Sequence, residues 1–126
     1  MNVPANLRYT KDHEWLKVEG AEALIGITDY AQHELGDIVF IEVETVGETI
    51  LQHETFGTIE AVKTVSDMFM PVGGEVLEFN DQLTTNPEII NQDPYDKGWV
   101  IRIRIADESQ VAGLLNADQY RSHIGG

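Results

Sequence analysis

Few residues of this chain are equipped for chemistry. Four lysines (Lys11, Lys17, Lys63, Lys97), four histidines (His13, His33, His53, His123) and 22 aspartates and glutamates occur in 126 residues, with no cysteine. That absence removes thiol nucleophiles, disulfides, thiolate metal sites and iron–sulfur ligands, so any sulfur chemistry must be imported. The histidines lie far apart and form no His-x-x-x-His pair, which leaves no local zinc site to read. No Gly-x-Ser-x-Gly elbow is present, and Gly73-Gly74 lacks the Gly-Lys-Ser/Thr that a phosphate loop needs. Those two glycines read as a tight turn, one of them at positive φ. Carboxylates this abundant come close in pairs by chance, so their number argues for a solvated acidic face and not for hydrolysis.

Lys63 has the most distinctive surroundings. It separates the run Gly57-Thr58-Ile59-Glu60-Ala61-Val62 from the run Thr64-Val65-Ser66-Asp67-Met68-Phe69-Met70. If these pair as a hairpin, Lys63 stands at or beside the tip on a stiff β-branched stem of Val62, Thr64 and Val65. It is the single lysine between His53 and Asn80, among five acids (Glu54, Glu60, Asp67, Glu75, Glu78), so the segment is poorly suited to anions. No Asn-Gly or Asp-Gly turn signal lies beside it. Taken alone, the position reads as a solubilising lysine on a turn.

The elements that would hold such a tip are mostly strands, at 15–18, 23–27, 38–43, 58–62, 64–70, 75–79 and 99–105. They are short and often punctuated by glycine, the pattern of a sandwich or barrel. Ile101, Ile103 and Ile105 alternate with Arg102 and Arg104, which places one face in a core and the arginines in water. Trp99 at the head of that strand reads as core. Asp29 with Gln32 resembles a capping pair, and Gly36 closes at most two helical turns. Short amphipathic helices are expected after Asp107 and again after Asn116, where Gln119 sits three residues on. Residues 81–98, with two prolines and little apolar periodicity, read as a long structured loop. No linker is visible, so residues 1–126 read as one domain, mainly β.

Eight basic residues against 22 acidic ones give a net charge of −14, although the chain is 42% apolar. The apolar fraction argues for a folded protein. The charge repels phosphate backbones and anionic membranes and favours steered encounters with proteins bearing basic patches. Nucleic acid and membrane are therefore not expected as partners. No stretch approaches the ~18 apolar residues of a membrane span, and Met1-Asn2-Val3-Pro4-Ala5-Asn6 has no signal-peptide pattern. The chain reads as a cytoplasmic product, or a mitochondrial matrix protein if from a eukaryote.

Several separated words then agree in order and spacing. Glu60-Ala61-Val62-Lys63-Thr64-Val65-Ser66-Asp67 and Pro71-Val72-Gly73-Gly74-Glu75-Val76 resemble the lipoylation segment of the glycine cleavage H-protein family. His13-Glu14-Trp15, Ile25-Gly26-Ile27-Thr28-Asp29-Tyr30-Ala31-Gln32, Leu35-Gly36-Asp37-Ile38-Val39-Phe40 and Asn91-Gln92-Asp93-Pro94-Tyr95-Asp96-Lys97-Gly98-Trp99 continue the likeness, from about residue 9 to 120.

This resemblance implies a flattened β-sandwich of the lipoyl/biotinyl hybrid-motif type, with short flanking helices and a C-terminal helical segment. It implies that Lys63 carries lipoate through an amide, so that a dithiolane supplies the sulfur this chain lacks. The implied role is that of a carrier and not a catalyst. Its cycle passes the aminomethyl group of glycine from a pyridoxal-phosphate decarboxylase (P protein) to a tetrahydrofolate-dependent aminomethyltransferase (T protein). The dithiol arm then goes to the flavin dihydrolipoamide dehydrogenase (L protein). Lipoate-attaching enzymes are further implied partners, and the carrier is expected to be a monomer in isolation. Glu60 and Asp67 match the family's hairpin and are expected to position its tip for lipoate-attaching enzymes or partners. Glu14 matches an acid near a cleft that shelters the loaded arm, although the residue alone reads equally as an exposed strand-edge acid. His13 and Trp15 are expected to serve packing at the strand, with a place in the cleft as the lesser alternative for His13.

The chain departs from the family pattern at Val43-Glu44-Thr45-Val46-Gly47, at Met70 and at the end, Ser122-His123-Ile124-Gly125-Gly126. None of these touches the Lys63 word. The rival readings are a biotin carrier, a 2-oxoacid dehydrogenase lipoyl domain, an H-like carrier for lipoyl relay or sulfur metabolism, and an unmodified β-sandwich interaction module. Biotin acceptors place methionines on both sides of the lysine, where this chain has Val62 and Thr64.

Overall fold

In a computed structural model that describes residues 1–125, the chain forms two antiparallel sheets and five short helices. Gly126, the last residue of the divergent C-terminal end, lies outside the described residues. In chain order the elements are β1 (Arg8–Tyr9), β2 (Glu14–Glu19), β3 (Glu22–Ile27), α1 (Asp29–Leu35), β4 (Ile38–Glu42), β5 (Thr49–Ile50), β6 (Thr55–Ala61) and β7 (Val65–Phe69). They continue with β8 (Gly74–Phe79), α2 (Gln82–Thr85), α3 (Ile89–Gln92), β9 (Ile101–Ile105), α4 (Ser109–Ala112) and α5 (Ala117–His123). One sheet has the order β1-β2-β3-β9-β8-β5, the other β4-β6-β7. The architecture is the expected flattened sandwich, with neither sheet closed into a barrel.

Apolar alternation drives the layering. Leu16, Ile25, Ile103 and Val76 from the large sheet meet Ile38, Ile41, Ile59 and Met68 from the small one in a single buried cluster. A second cluster on the far side of β2 gathers Val3, Leu7, Tyr9, Trp15, Ala117 and Tyr120. It fixes the C-terminal helix: Tyr9 stacks on Tyr120 with ring centroids 4.8 Å apart. Asn116 and Gln119 start α5 as a reciprocal capping box. On β9, Arg102 and Arg104 point outward as expected and pair with Glu19 and Glu75 across the strands at 3.0 and 2.9 Å.

Several details differ from the sequence reading. The cap of α1 is Thr28, whose side chain accepts the Ala31 N–H at 3.1 Å, while Asp29 lies inside the first turn and binds the Gln32 side chain. Residues 81–98 are not loop throughout, because one-turn helices α2 and α3 bury Leu83 and Ile90. Trp99 is only half-buried against the satellite cluster, and Val100 and Ile101 supply the core instead. Gly73 and Gly74 have no positive φ. At Gly74 what matters is close approach, since a Cβ would run into the Arg104 carbonyl oxygen on the neighbouring β9.

Candidate functional site

The hairpin forms as anticipated and Lys63 stands at its tip. β6 and β7 pair from Thr55↔Phe69 to Glu60↔Val65, leaving Val62, Lys63 and Thr64 as the connection. No residue of this connection is in the left-handed region, which explains why no glycine or asparagine signal marks it. Two bonds hold it instead: the Ala61 N–H donates to the Thr64 carbonyl at 2.8 Å, and the Val62 N–H donates to the Asp37 carbonyl at 3.1 Å. The second ties the tip to the turn between α1 and β4. Lys63 is exposed, and its side chain leans over Gly36, where a Cβ would touch Lys63 Cε at 3.7 Å. Gly36, with φ of 81°, ends α1.

Leu35, next to Gly36, lines a cleft of about 360 Å³ between α1 and the inner side of the hairpin. Ile27, Ala31, Leu35, Ile59 and Met68 form its apolar walls, and Tyr30, Ser66 and Asp67 complete them. Ser66 is three residues from Lys63 and Ile59 four, so at the strand rise this wall begins roughly 10 Å from the tip. A lysine lengthened by a medium-chain acyl group covers that span. Asp12, Glu34 and Asp67 line the cleft together with the buried Glu14 and with His13, and these three acidic side chains give it a field that favours a cationic guest.

Glu14 lies at the inner end of this arrangement. It is 2% exposed, so the strand-edge alternative from the sequence is corrected. On β2, Glu14 and Leu16 share the face turned toward the main core, and Trp15 fills the satellite cluster on the other; all three are buried. The Thr10 hydroxyl donates to Glu14 Oε1 at 2.7 Å and the Phe69 N–H to Oε2 at 3.2 Å. Thr10 Oγ1 meanwhile accepts the Asp12 and Glu14 N–H groups, which commits its own proton to the carboxyl. Burial pushes the Glu14 carboxyl up to about 8, and the bonds from Thr10 and Phe69 oppose that rise only in part.

His13 contributes through its backbone as well as its ring. At φ of 72° it turns the chain between β1 and β2, and its Nδ1 lies 2.8 Å from the Tyr120 hydroxyl. That hydroxyl also lies 2.7 Å from Thr28 Oγ1, the cap of α1. Burial, followed by the neighbouring His123, lowers the His13 pKa, which favours a neutral imidazole. Trp15 packs as expected, its Nε1–H donating to the Pro94 carbonyl at 2.9 Å.

The structure therefore brings Asp67 and Glu14 into the lining of one cleft, with Lys63 at the hairpin tip outside that lining. Glu60 stands on the opposite, outer face of the hairpin, paired beside Val65. Sequence reasoning missed Thr10, Tyr30 and Leu35 of this site. Leu35 alone left a usable trace, as the last apolar residue before the helix-closing Gly36. Among the described residues no group of histidine and carboxylate ligands could hold a metal ion.

The family model described as Glycine cleavage H-protein matches residues 7–125. The chain is 56% identical over 126 residues to the glycine cleavage system H protein of Bacteroides thetaiotaomicron, covering all of both chains. It is 58% identical over 128 residues to that of Chlorobium luteolum, again over all of both. Among solved structures, a glycine cleavage system H protein from Mycobacterium marinum superposes with a TM-score of 0.89 at 36% identity, covering 98% of this chain and 100% of that one.

Proposed function

The chain belongs to the glycine cleavage H-protein family, whose members are lipoyl carriers and not catalysts, and on that premise we propose that Lys63 carries the lipoyl group. One observation carries the reading: the exposed lysine at a braced hairpin tip lies over Gly36, beside an apolar cleft with acidic side chains that an acylated lysine would reach. The group would supply two redox-active sulfurs to a chain that has none. Acylation removes the lysine charge, and the rigid turn holds the attachment atom in one place for every partner.

The remaining residues divide the work of holding a loaded arm. Ile27, Ala31, Leu35, Ile59 and Met68 exclude water from the chain of the arm, which protects a hydrolysable terminus. Asp12 and Asp67 would attract a cationic amine at its end, and the Glu14 carboxyl, held in position by the Thr10 hydroxyl and the Phe69 N–H, would accept a hydrogen bond from it. The chain then shuttles the aminomethyl group of glycine from the decarboxylase to the aminomethyltransferase and presents the dithiol to the flavin dehydrogenase. Residues 1–126 act as one carrier domain, monomeric in isolation and located in the cytoplasm. The bacterial relatives support that location.

Glycine–bicarbonate exchange with the glycine decarboxylase tests this reading. Lipoylated protein should sustain exchange, and Lys63→Arg prepared in the same way should reduce it to background. Equal rates from the two proteins would refute the assignment.

A further inference from the structure

Helix α1 supplies one wall of the cleft with only seven residues, none of them buried. A helix of under two turns is marginal by itself, so contacts from elsewhere must hold it. They come from the segment Asn91-Gln92-Asp93-Pro94-Tyr95, which takes no part in the cleft lining. At the start of α1 the Tyr95 hydroxyl accepts the Asp29 N–H at 2.9 Å and donates to the Asn2 carbonyl at 2.6 Å. At its end Asn91 Nδ2 donates to Gln32 Oε1 at 3.0 Å and to the Gly36 carbonyl at 2.9 Å, while Asn91 Oδ1 accepts the Ile38 N–H at 3.0 Å. Gln32 is itself fixed by its Nε2 bond to Asp29 Oδ1 at 2.8 Å. Both donors of the Asn91 amide are thus in use, and turning the amide over would set its oxygen against two acceptors.

Asn91 grips the turn on both sides of Asp37, and the Asp37 carbonyl is the group that accepts the Val62 N–H from the hairpin tip. Gly36, held by the same amide, is the residue under Lys63 Cε. One side chain on α3 therefore joins three things that the sequence keeps apart: the end of the α1 wall, the start of β4 and, through Asp37, the lysine tip.

We propose that Asn91 is a positioning residue of the carrier: by clamping residues 36–38 it fixes the Lys63 tip against the α1 wall, and so sets the fraction of time that a loaded arm spends inside the cleft. The inference rests on the reading of Lys63 as the lipoylated residue. An arm outside the cleft meets water, which takes up the methylene carbon as the C–S bond breaks: the sulfur leaves as the thiol, the carbon as formaldehyde and the amine as ammonia. Release of formaldehyde from the loaded chain alone therefore reports how well the tip and the wall are aligned.

Two measurements on the full chain test this. The first is amide hydrogen exchange of the unmodified protein, which reads the tip without any arm: Asn91→Ala should speed exchange at Val62 roughly tenfold beyond any change in the amides of β9. The second is formaldehyde release from lipoylated protein that has been loaded by the glycine decarboxylase with glycine and then purified away from it. Asn91→Ala should raise that rate roughly tenfold. Asn91→Asp keeps the size of the side chain and the acceptor for the Ile38 N–H but loses both donors, and it should move both readouts in the same direction. Gln110→Ala serves as the comparison, since it removes a bond of 2.8 Å to the Gly73 N–H, beyond the end of the hairpin away from Lys63; it should lower Tm and leave both readouts at the parent values. Parent-like exchange at Val62 and parent-like release in the Asn91 variants would overturn the assignment. So would release from Gln110→Ala as fast as from Asn91→Ala, because general loosening would then explain the loss. If the parent releases formaldehyde as fast as aminomethylated free dihydrolipoamide, the sheltering cleft fails and the role of Asn91 with it; if it gains no lipoyl group at Lys63, the reading of the lysine fails first.

Discussion

Glu14 illustrates how one side chain changes meaning once its surroundings are known. The sequence places it at the start of a strand, where an acid is ordinarily exposed, and both faces of β2 are covered there, which no periodicity in Glu14-Trp15-Leu16 announces. Its folded-state pKa of about 8 lies above the ordinary carboxyl value, so the neutral form favours folding. That contribution is complete below the ordinary value near 4.5 and is lost as pH rises to about 8. Replacing it with Gln removes the titration. The stability of Glu14→Gln relative to the parent should therefore increase across that window, by on the order of a few kcal/mol, and level off above it. Denaturant melts at a series of pH values measure this. A constant difference between the two proteins at every pH would mean that Glu14 titrates as a solvent-exposed acid.

At the scale of elements, helix α1 supports the site, because it supplies one cleft wall and its end carries Gly36 under Lys63. Thr28 starts it and is itself wholly buried, bonding both the Ala31 N–H and the Tyr120 hydroxyl. Thr28→Ala should cost about 1–2 kcal/mol in thermal or denaturant unfolding; a loss below a few tenths would show that the cap contributes little. Legibility varied by element for physical reasons. β9 was plain, since three isoleucines alternate with two arginines, and α5 was signalled by a capping box. The two-residue strands β1 and β5, and the one-turn helices α2 and α3, are too short to impose a period on their sequence. The hairpin was visible from its β-branched runs, but its turn was not, because a long-range bond from Val62 to Asp37 replaces the usual turn residues. Likewise the cleft was hidden, because its two walls, residues 27–35 and the hairpin, are brought together only by the fold.

For the whole molecule, the −14 charge and the lack of cysteine set the terms of function. An acidic carrier attracts partners through basic patches, so KM for the carrier in the decarboxylase exchange reaction should rise as salt is added from low ionic strength. A KM indifferent to salt would remove steering from the account. The sandwich itself is passive in this view: it holds one lysine at a fixed tip and one cleft beside it. Everything depends on the modification of Lys63, so the most direct test is intact mass and peptide mapping of the protein after incubation with a lipoate ligase, lipoate and ATP. The account predicts one lipoyl adduct, on the peptide containing Lys63; no adduct, or one on Lys11, Lys17 or Lys97, would contradict it.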